Sequence, residues 1–159
     1  MLLITIFLSC TSSSKDTSEK LAPSIATPDG AAPGFVTPNG GPVFIPIEKV
    51  KEEYDKGAAF YFLDARPTPD YDLRHITGAF SVPFYEKEDH LNKFPYGVWY
   101  IAYCACPHSE SGIVADYFWE NGHDKVGIID EGYLEWEDRG YPTEGNEPLE
   151  PADTGDVEE

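Results

Sequence analysis

A continuous apolar run stops abruptly at two thiols and a polar loop in Val98-Trp-Tyr-Ile-Ala-Tyr-Cys104-Ala105-Cys106-Pro107-His108-Ser109-Glu110-Ser111-Gly112. The thiolate is the nucleophilic form of cysteine, and it is favoured where free backbone amides and the positive end of a helix converge. Such amides are expected here. Ile113, Val114, Tyr117 and Phe118 recur at helical spacing, which predicts a helix starting between Ser109 and Ser111 with its first amides turned back toward the thiols. Val98 to Tyr103 is rich in β-branched and aromatic residues without polar alternation, the pattern of a strand buried on both faces. Cys104 then falls at the carboxyl end of that strand, the edge at which open α/β sheets bind ligands. These residues make Cys104 the candidate nucleophile. A register shifted by two would give the role to Cys106, and a pair of inert cysteines packed under a strand end is the bland alternative. Three soft ligands, Cys104, Cys106 and His108, have no evident fourth, so no metal and no cofactor are assigned.

The elements that must position this loop alternate in type. Glu48 to Gly57 predicts a short amphipathic helix, with Val50 and Tyr54 four residues apart and Gly57 as its stop. Ala58 to Leu63 is an apolar run of strand length that leads into Asp64-Ala65-Arg66-Pro67. Asp64 and Arg66, two residues apart, share one side of an extended chain before proline breaks it. Asp70 to Arg74 predicts a helical turn, Phe80 to Val82 a short strand, and Glu86 to Phe94 a weakly helical segment. Lys125 to Ile129 predicts a further strand, and Tyr133 to Arg139 a last helix stopped by Gly140 and Pro142. Alternating strands and helices imply βαβ units and a largely parallel sheet with helices on both faces.

Composition limits the partners. The chain of 159 residues carries a formal charge of -18. Of this, about -10 lies on Phe44 to Thr143, with 19 acids against nine bases. Nucleic acid is therefore excluded as a partner, and small anions are repelled. Glu144 to Glu159 holds seven acids and no base, and reads as a disordered tail over 144–159. At the other end, Leu2 to Leu8 is apolar but far shorter than the roughly 20 residues a spanning helix needs. Phe7-Leu-Ser-Cys10 resembles the lipobox of bacterial lipoproteins, in which the cysteine is lipid-modified and becomes the first mature residue. That resemblance implies a signal peptide over 1–10 and attachment to the bacterial cell envelope through Cys10, facing the periplasm. Ser, Thr, Pro and Gly dominate from there to Pro42, so residues 11–43 read as a flexible tether to a domain over 44–143.

Four motifs in this domain, Leu63-Asp-Ala-Arg66, Arg74-His-Ile-Thr-Gly-Ala79, Tyr103-Cys104 and Glu131-Gly-Tyr-Leu-Glu-Trp136, resemble a single-domain rhodanese in order and spacing. The resemblance covers about Ile45 to Thr143. It implies the rhodanese-like α/β fold: a central, mostly parallel five-stranded sheet flanked by helices on both faces. It further implies a sulfurtransferase in which Cys104 carries sulfur as a persulfide. Ala105, Cys106, Pro107, His108, Ser109 and Glu110 would form the loop that cradles it, and Asp64 and Arg66 would support the site from behind. Partners would be a small sulfur donor and a thiol acceptor, with a carrier protein as a further option. Sulfurtransferases of this family often carry Cys-x-x-Gly-x-Arg-Ser, whereas Cys104 to Ser111 is one residue longer and has Glu110 but no Lys or Arg. Thiosulfate is accordingly expected to be a poor donor. Thiol-redox chemistry through Cys104 and Cys106, and a non-catalytic binding module, are the alternative functions.

Overall fold

The computed structural model describes residues 23–105 and 108–147. Five strands form one parallel sheet: β1 (Val43–Ile45), β2 (Phe60–Asp64), β4 (Phe80–Ser81), β5 (Trp99–Tyr103) and β6 (Val126–Ile129). Their order is β1-β6-β5-β2-β4, which puts β5 in the centre. Every pairing in this sheet is parallel. The expected largely parallel arrangement is therefore fully parallel. A separate pair, β3 (His75–Ile76) and β7 (Thr143–Glu144), runs antiparallel.

All five residues of β5 are buried, as an apolar run without alternation requires. Its side chains divide between two cores. Tyr100 and Ala102 point with Cys104 into one, beneath α4 (Ser109–Glu120), where Val114, Ala115 and Phe118 close over them. Trp99, Ile101 and Tyr103 point into the other, beneath α1 (Ile47–Asp55) and α5 (Tyr133–Asp138), against Ile47, Val50, Tyr133 and Trp136. Two smaller helices, α2 (Thr68–Leu73) and α3 (Lys87–Leu91), complete the layers. Helices thus cover both faces. Among the described residues, no helix is long and apolar enough to cross a membrane.

Two boundaries read from composition are revised. The described part of the tether, 23–42, lies against the body rather than free of it. Phe35 packs edge-on against Phe60 and Trp99, with ring centroids 5.5 and 5.2 Å apart. Ala59 N–H donates to Ala31 carbonyl, Ile25 N–H to Lys93 carbonyl, and the Tyr61 hydroxyl to Ala26 carbonyl. Gly30, at φ +128°, comes so close to the end of α1 that a Cβ there would stand 2.3 Å from the Gly57 oxygen. A few anchors in a Pro- and Gly-rich segment are enough to dock it. The acidic tail likewise does not separate at Glu144. Glu144 belongs to β7, its carboxylate accepts from Gly78 N–H at 2.8 Å, and Asn146 and Glu147 donate to the carbonyls of Asp72 and Leu73. Residues 1–22 and 148–159, which include Cys10 and most of the predicted tail, lie outside the described residues.

Candidate active site

Cys104 leaves β5 at the carboxyl edge of the sheet, 1% exposed. Its Sγ lies 3.3 Å from Ser111 Oγ in the first turn of α4. The thiol donates to that hydroxyl, and once the sulfur is ionised the hydroxyl can turn and donate back. The twelve-residue helix behind Ser111 directs its amino-terminal end toward the same sulfur, so negative charge there meets both a hydroxyl and a helix dipole.

The loop is held on its outer side by the next βα turn. Gly132, at φ +83°, turns the chain so that Tyr133 N–H donates to Cys104 carbonyl at 2.8 Å and Leu134 N–H to Ala105 carbonyl at 3.3 Å. Glu131 fixes the turn from behind, accepting from Ile47 N–H at the start of α1 at 2.8 Å. His108, at φ +76°, is the single non-glycine residue in the left-handed region among the described residues. That conformation costs on the order of 1–3 kcal/mol, and surrounding contacts must maintain it. Two contacts do so. Nε2 lies 2.9 Å from Asp130 carbonyl and 2.8 Å from its carboxylate, both acceptors, so the proton sits on Nε2. The ring also packs on Phe44 of β1, with centroids 4.2 Å apart. Cys106 and Pro107 lie outside the described residues.

Asp64 and Arg66 form a buried pair at the end of β2. Arg66 Nε donates to Asp64 Oδ1 at 2.9 Å and an Nη to Oδ2 at 2.6 Å, while the Arg66 backbone N–H also reaches Oδ1 at 3.0 Å. A further bond runs to Arg74 carbonyl at 2.7 Å, and the guanidinium lies 3.8 Å from the Tyr133 ring centroid. Burial opposes the guanidinium charge, but the hydrogen bonds and charge of Asp64 overcome it and hold the Arg66 pKa above its ordinary value. The pair therefore supports Tyr133, and through the Tyr133 amide the Cys104 carbonyl.

Glu110, second residue of α4, is half-buried. Burial first, then the charges of Asp70 and Asp64, raise its pKa above the ordinary glutamate value. Among the described residues, no group of three His, Cys, Asp or Glu side chains is placed to hold a metal ion. Ser111, Asp130, Tyr133 and Asp70 also belong to the site, although sequence reasoning assigned them no role. Ser111 was visible as the end of the loop; the Tyr133 contact uses a backbone amide, which residue type does not reveal.

A parallel sheet with a buried thiol at the carboxyl end of its central strand, closed by a loop running into a helix, defines the class as rhodanese-like. The family model described as "Rhodanese-like domain" matches residues 47–139, and the chain belongs to that family. Among solved structures, the rhodanese-like domain of an Anabaena protein is 24% identical, with a TM-score of 0.60 over 73% of this chain and 92% of that one. A rhodanese-like domain protein from Staphylococcus aureus is 23% identical, with a TM-score of 0.58 over 65% and 98% of the two chains. A rhodanese-related protein from Thermoplasma volcanium is 19% identical, with a TM-score of 0.57 over 65% and 99%. At these identities the likeness establishes the fold alone. No curated protein matches the chain.

Proposed function

We propose that the protein is a sulfurtransferase that carries sulfur on Cys104. The observation that supports this most directly is the buried Cys104 sulfur 3.3 Å from Ser111 Oγ, at the amino end of α4. In the first half-reaction the Cys104 thiolate attacks the terminal sulfur of a donor R–S–SH. The donor S–S bond breaks, R–S⁻ leaves with the bonding pair and takes up a proton, and Cys104 keeps the sulfur as a persulfide. In the second, an acceptor thiolate attacks that terminal sulfur and the Cys104 thiolate leaves, ready for another turn. Ser111 and the amino end of α4 stabilise the anionic sulfur in both states. Treating the protein with a sulfane-sulfur donor should add one sulfur atom by intact mass, and a thiol acceptor should remove it. A mass unchanged by every donor would refute the reading.

The anchoring reading is carried as part of the same proposal: Cys10 bears lipid and holds the domain at the bacterial envelope, facing the periplasm. It rests on the Leu8-Ser-Cys10 sequence and the apolar run before it. A mature lipoprotein with two or three acyl chains would bind firmly, whereas one chain binds only marginally. Cys10→Ser should move the protein from the membrane to the soluble fraction, and a wild-type protein already soluble and without lipid would contradict it.

A further inference from the structure

The turn that follows β6 reaches the Cys104 loop at two places. Its amides at Tyr133 and Leu134 donate to the carbonyls of Cys104 and Ala105, where the central strand ends. Its first residue, Asp130, accepts from His108 Nε2 through both carboxylate and carbonyl, where α4 begins. Asp130 is itself tied to the edge strand, because its N–H donates to Ile45 carbonyl at 3.1 Å. Phe44 of that strand packs on the other contact surface of the His108 ring.

The order of the strands decides what His108 can do. From Cys104 to Ser111 it is the one residue able to carry positive charge, which would suit a direct ion pair with the sulfur. Strand β6 lies between β5 and β1, however, and both contacts of the imidazole, Asp130 after β6 and Phe44 on β1, are on that side. The ring is therefore engaged away from the strand that delivers Cys104. His108 acts on the sulfur through its backbone instead. Its carbonyl accepts from Gly112 N–H at 3.3 Å, the bond that opens α4, and this first turn holds Ser111 Oγ 3.3 Å from Cys104 Sγ. A non-glycine residue keeps a left-handed conformation only while its surroundings impose it. Released from Asp130, His108 would relax and carry the first turn of the helix with it.

We propose that Asp130 is a positioning residue for sulfur transfer: through His108 it holds the left-handed start of α4 and so keeps Ser111 and the amino end of the helix on the Cys104 sulfur. This rests on the sulfurtransferase reading. Neither Asp130 nor the His108 ring touches the sulfur, and the Asp130 carboxylate serves as a hydrogen-bond acceptor whose charge is not required.

The test follows two rates: sulfur loading of Cys104 at limiting donor, by intact mass, and alkylation of Cys104 by iodoacetamide, which needs no donor, by site-resolved mass spectrometry. Asp130→Ala should slow both about threefold, since the carbonyl of residue 130 remains as an acceptor for Nε2–H. Asp130→Asn, whose amide oxygen still accepts, should stay close to the wild type. His108→Ala loses both bonds and the packing on Phe44 and should be slower by roughly tenfold. His108→Gly should recover most of that loss, because glycine adopts positive φ without support from a side chain. Asp130→Ala added to His108→Gly should then have no further effect. Far-UV circular dichroism establishes folding, and the Asp130 pair and the His108 pair each decide alone if a member of the other does not fold. Unchanged rates in Asp130→Ala would overturn the proposal, as would Asp130→Asn being as slow as Asp130→Ala. A His108→Gly variant as slow as His108→Ala would overturn it by showing that the ring itself serves the sulfur. Faster alkylation in Asp130→Ala would overturn it by showing that the contact merely covers the thiol. A wild type that loads from no donor would overturn the sulfurtransferase reading, while the alkylation rates would still decide whether Asp130 positions Cys104.

Discussion

Arg66→Ala should be among the most damaging single substitutions in the domain, and its effect should be one of stability. Asp64 is fully buried and Arg66 is 6% exposed, so truncating the arginine leaves a carboxylate in the core without its two side-chain donors. Breaking one side of a buried ion pair costs about 3–5 kcal/mol. On a domain of this size that lowers the thermal midpoint by roughly 15–30 °C. Replacing both charges, as Asp64→Leu with Arg66→Met, leaves no uncompensated charge and should cost far less. The remaining penalty is the lost donor to Arg74 carbonyl and the lost stacking on Tyr133, about 1–2 kcal/mol together. Urea denaturation at pH 7 of the two single variants and the double variant provides the cycle, with the m-value checked for constancy. A single-variant cost below about 1 kcal/mol, or a double-variant cost equal to the sum of the singles, would refute the buried-pair account. The double variant, assayed well below its midpoint, should still load sulfur. Complete loss of loading in a folded double variant would mean that Arg66 touches substrate, contrary to its engagement with Asp64 and Arg74.

Other consequences follow from particular contacts. Ser111→Ala removes the hydroxyl 3.3 Å from Cys104 Sγ and should slow alkylation of Cys104 by iodoacetamide at neutral pH roughly three- to tenfold, the equivalent of one hydrogen bond; an unchanged rate would show that the hydroxyl does not serve the thiolate. Glu110→Gln should raise the thermal midpoint near neutral pH. The fold raises the Glu110 pKa, so the native state binds more protons than the unfolded chain above the ordinary glutamate pKa, and ionising Glu110 there costs stability. The gain should vanish below about pH 4, where both states are protonated, and a gain that persists there would exclude this cause. Truncation after Glu147 should leave the midpoint unchanged, whereas truncation after Thr143 removes Glu144 from Gly78 and the bonds to Asp72 and Leu73 and should lower it by at least about 4 °C. Equal midpoints for the two truncations would show that the docked segment contributes nothing.

The parts of the fold that could be read from sequence are those whose burial is complete. Trp99 to Tyr103 is buried throughout, and a short run with no polar alternation is what a strand covered on both faces requires. The helix after the loop announced itself through Val114 and Phe118, although Ile113, counted with them, is 43% exposed. What escaped was short or backbone-mediated. β1 has three residues with one buried, too few to establish a period, and β3 and β7 have two residues each. The docked segment over 23–42 is held by isolated anchors such as Phe35, while its composition is that of a linker. In the site, Cys104 was legible because a thiol at a strand end has a chemical meaning there. The Tyr133 amide was not, since almost every residue carries one. Asp130 was hidden for a different reason: its partner His108 is 22 residues away, and only the left-handed turn at His108 brings them together.

The central claim, that Cys104 is the sulfur carrier, is tested most directly by persulfide formation in two variants treated with the same donor and followed by intact mass. Cys104→Ser should take up no sulfur, and Cys106→Ser should take up most of what the wild type does. Loss confined to Cys106→Ser would contradict the account by moving the nucleophile two residues along the loop, and equal loss in both would contradict it in favour of a joint disulfide chemistry.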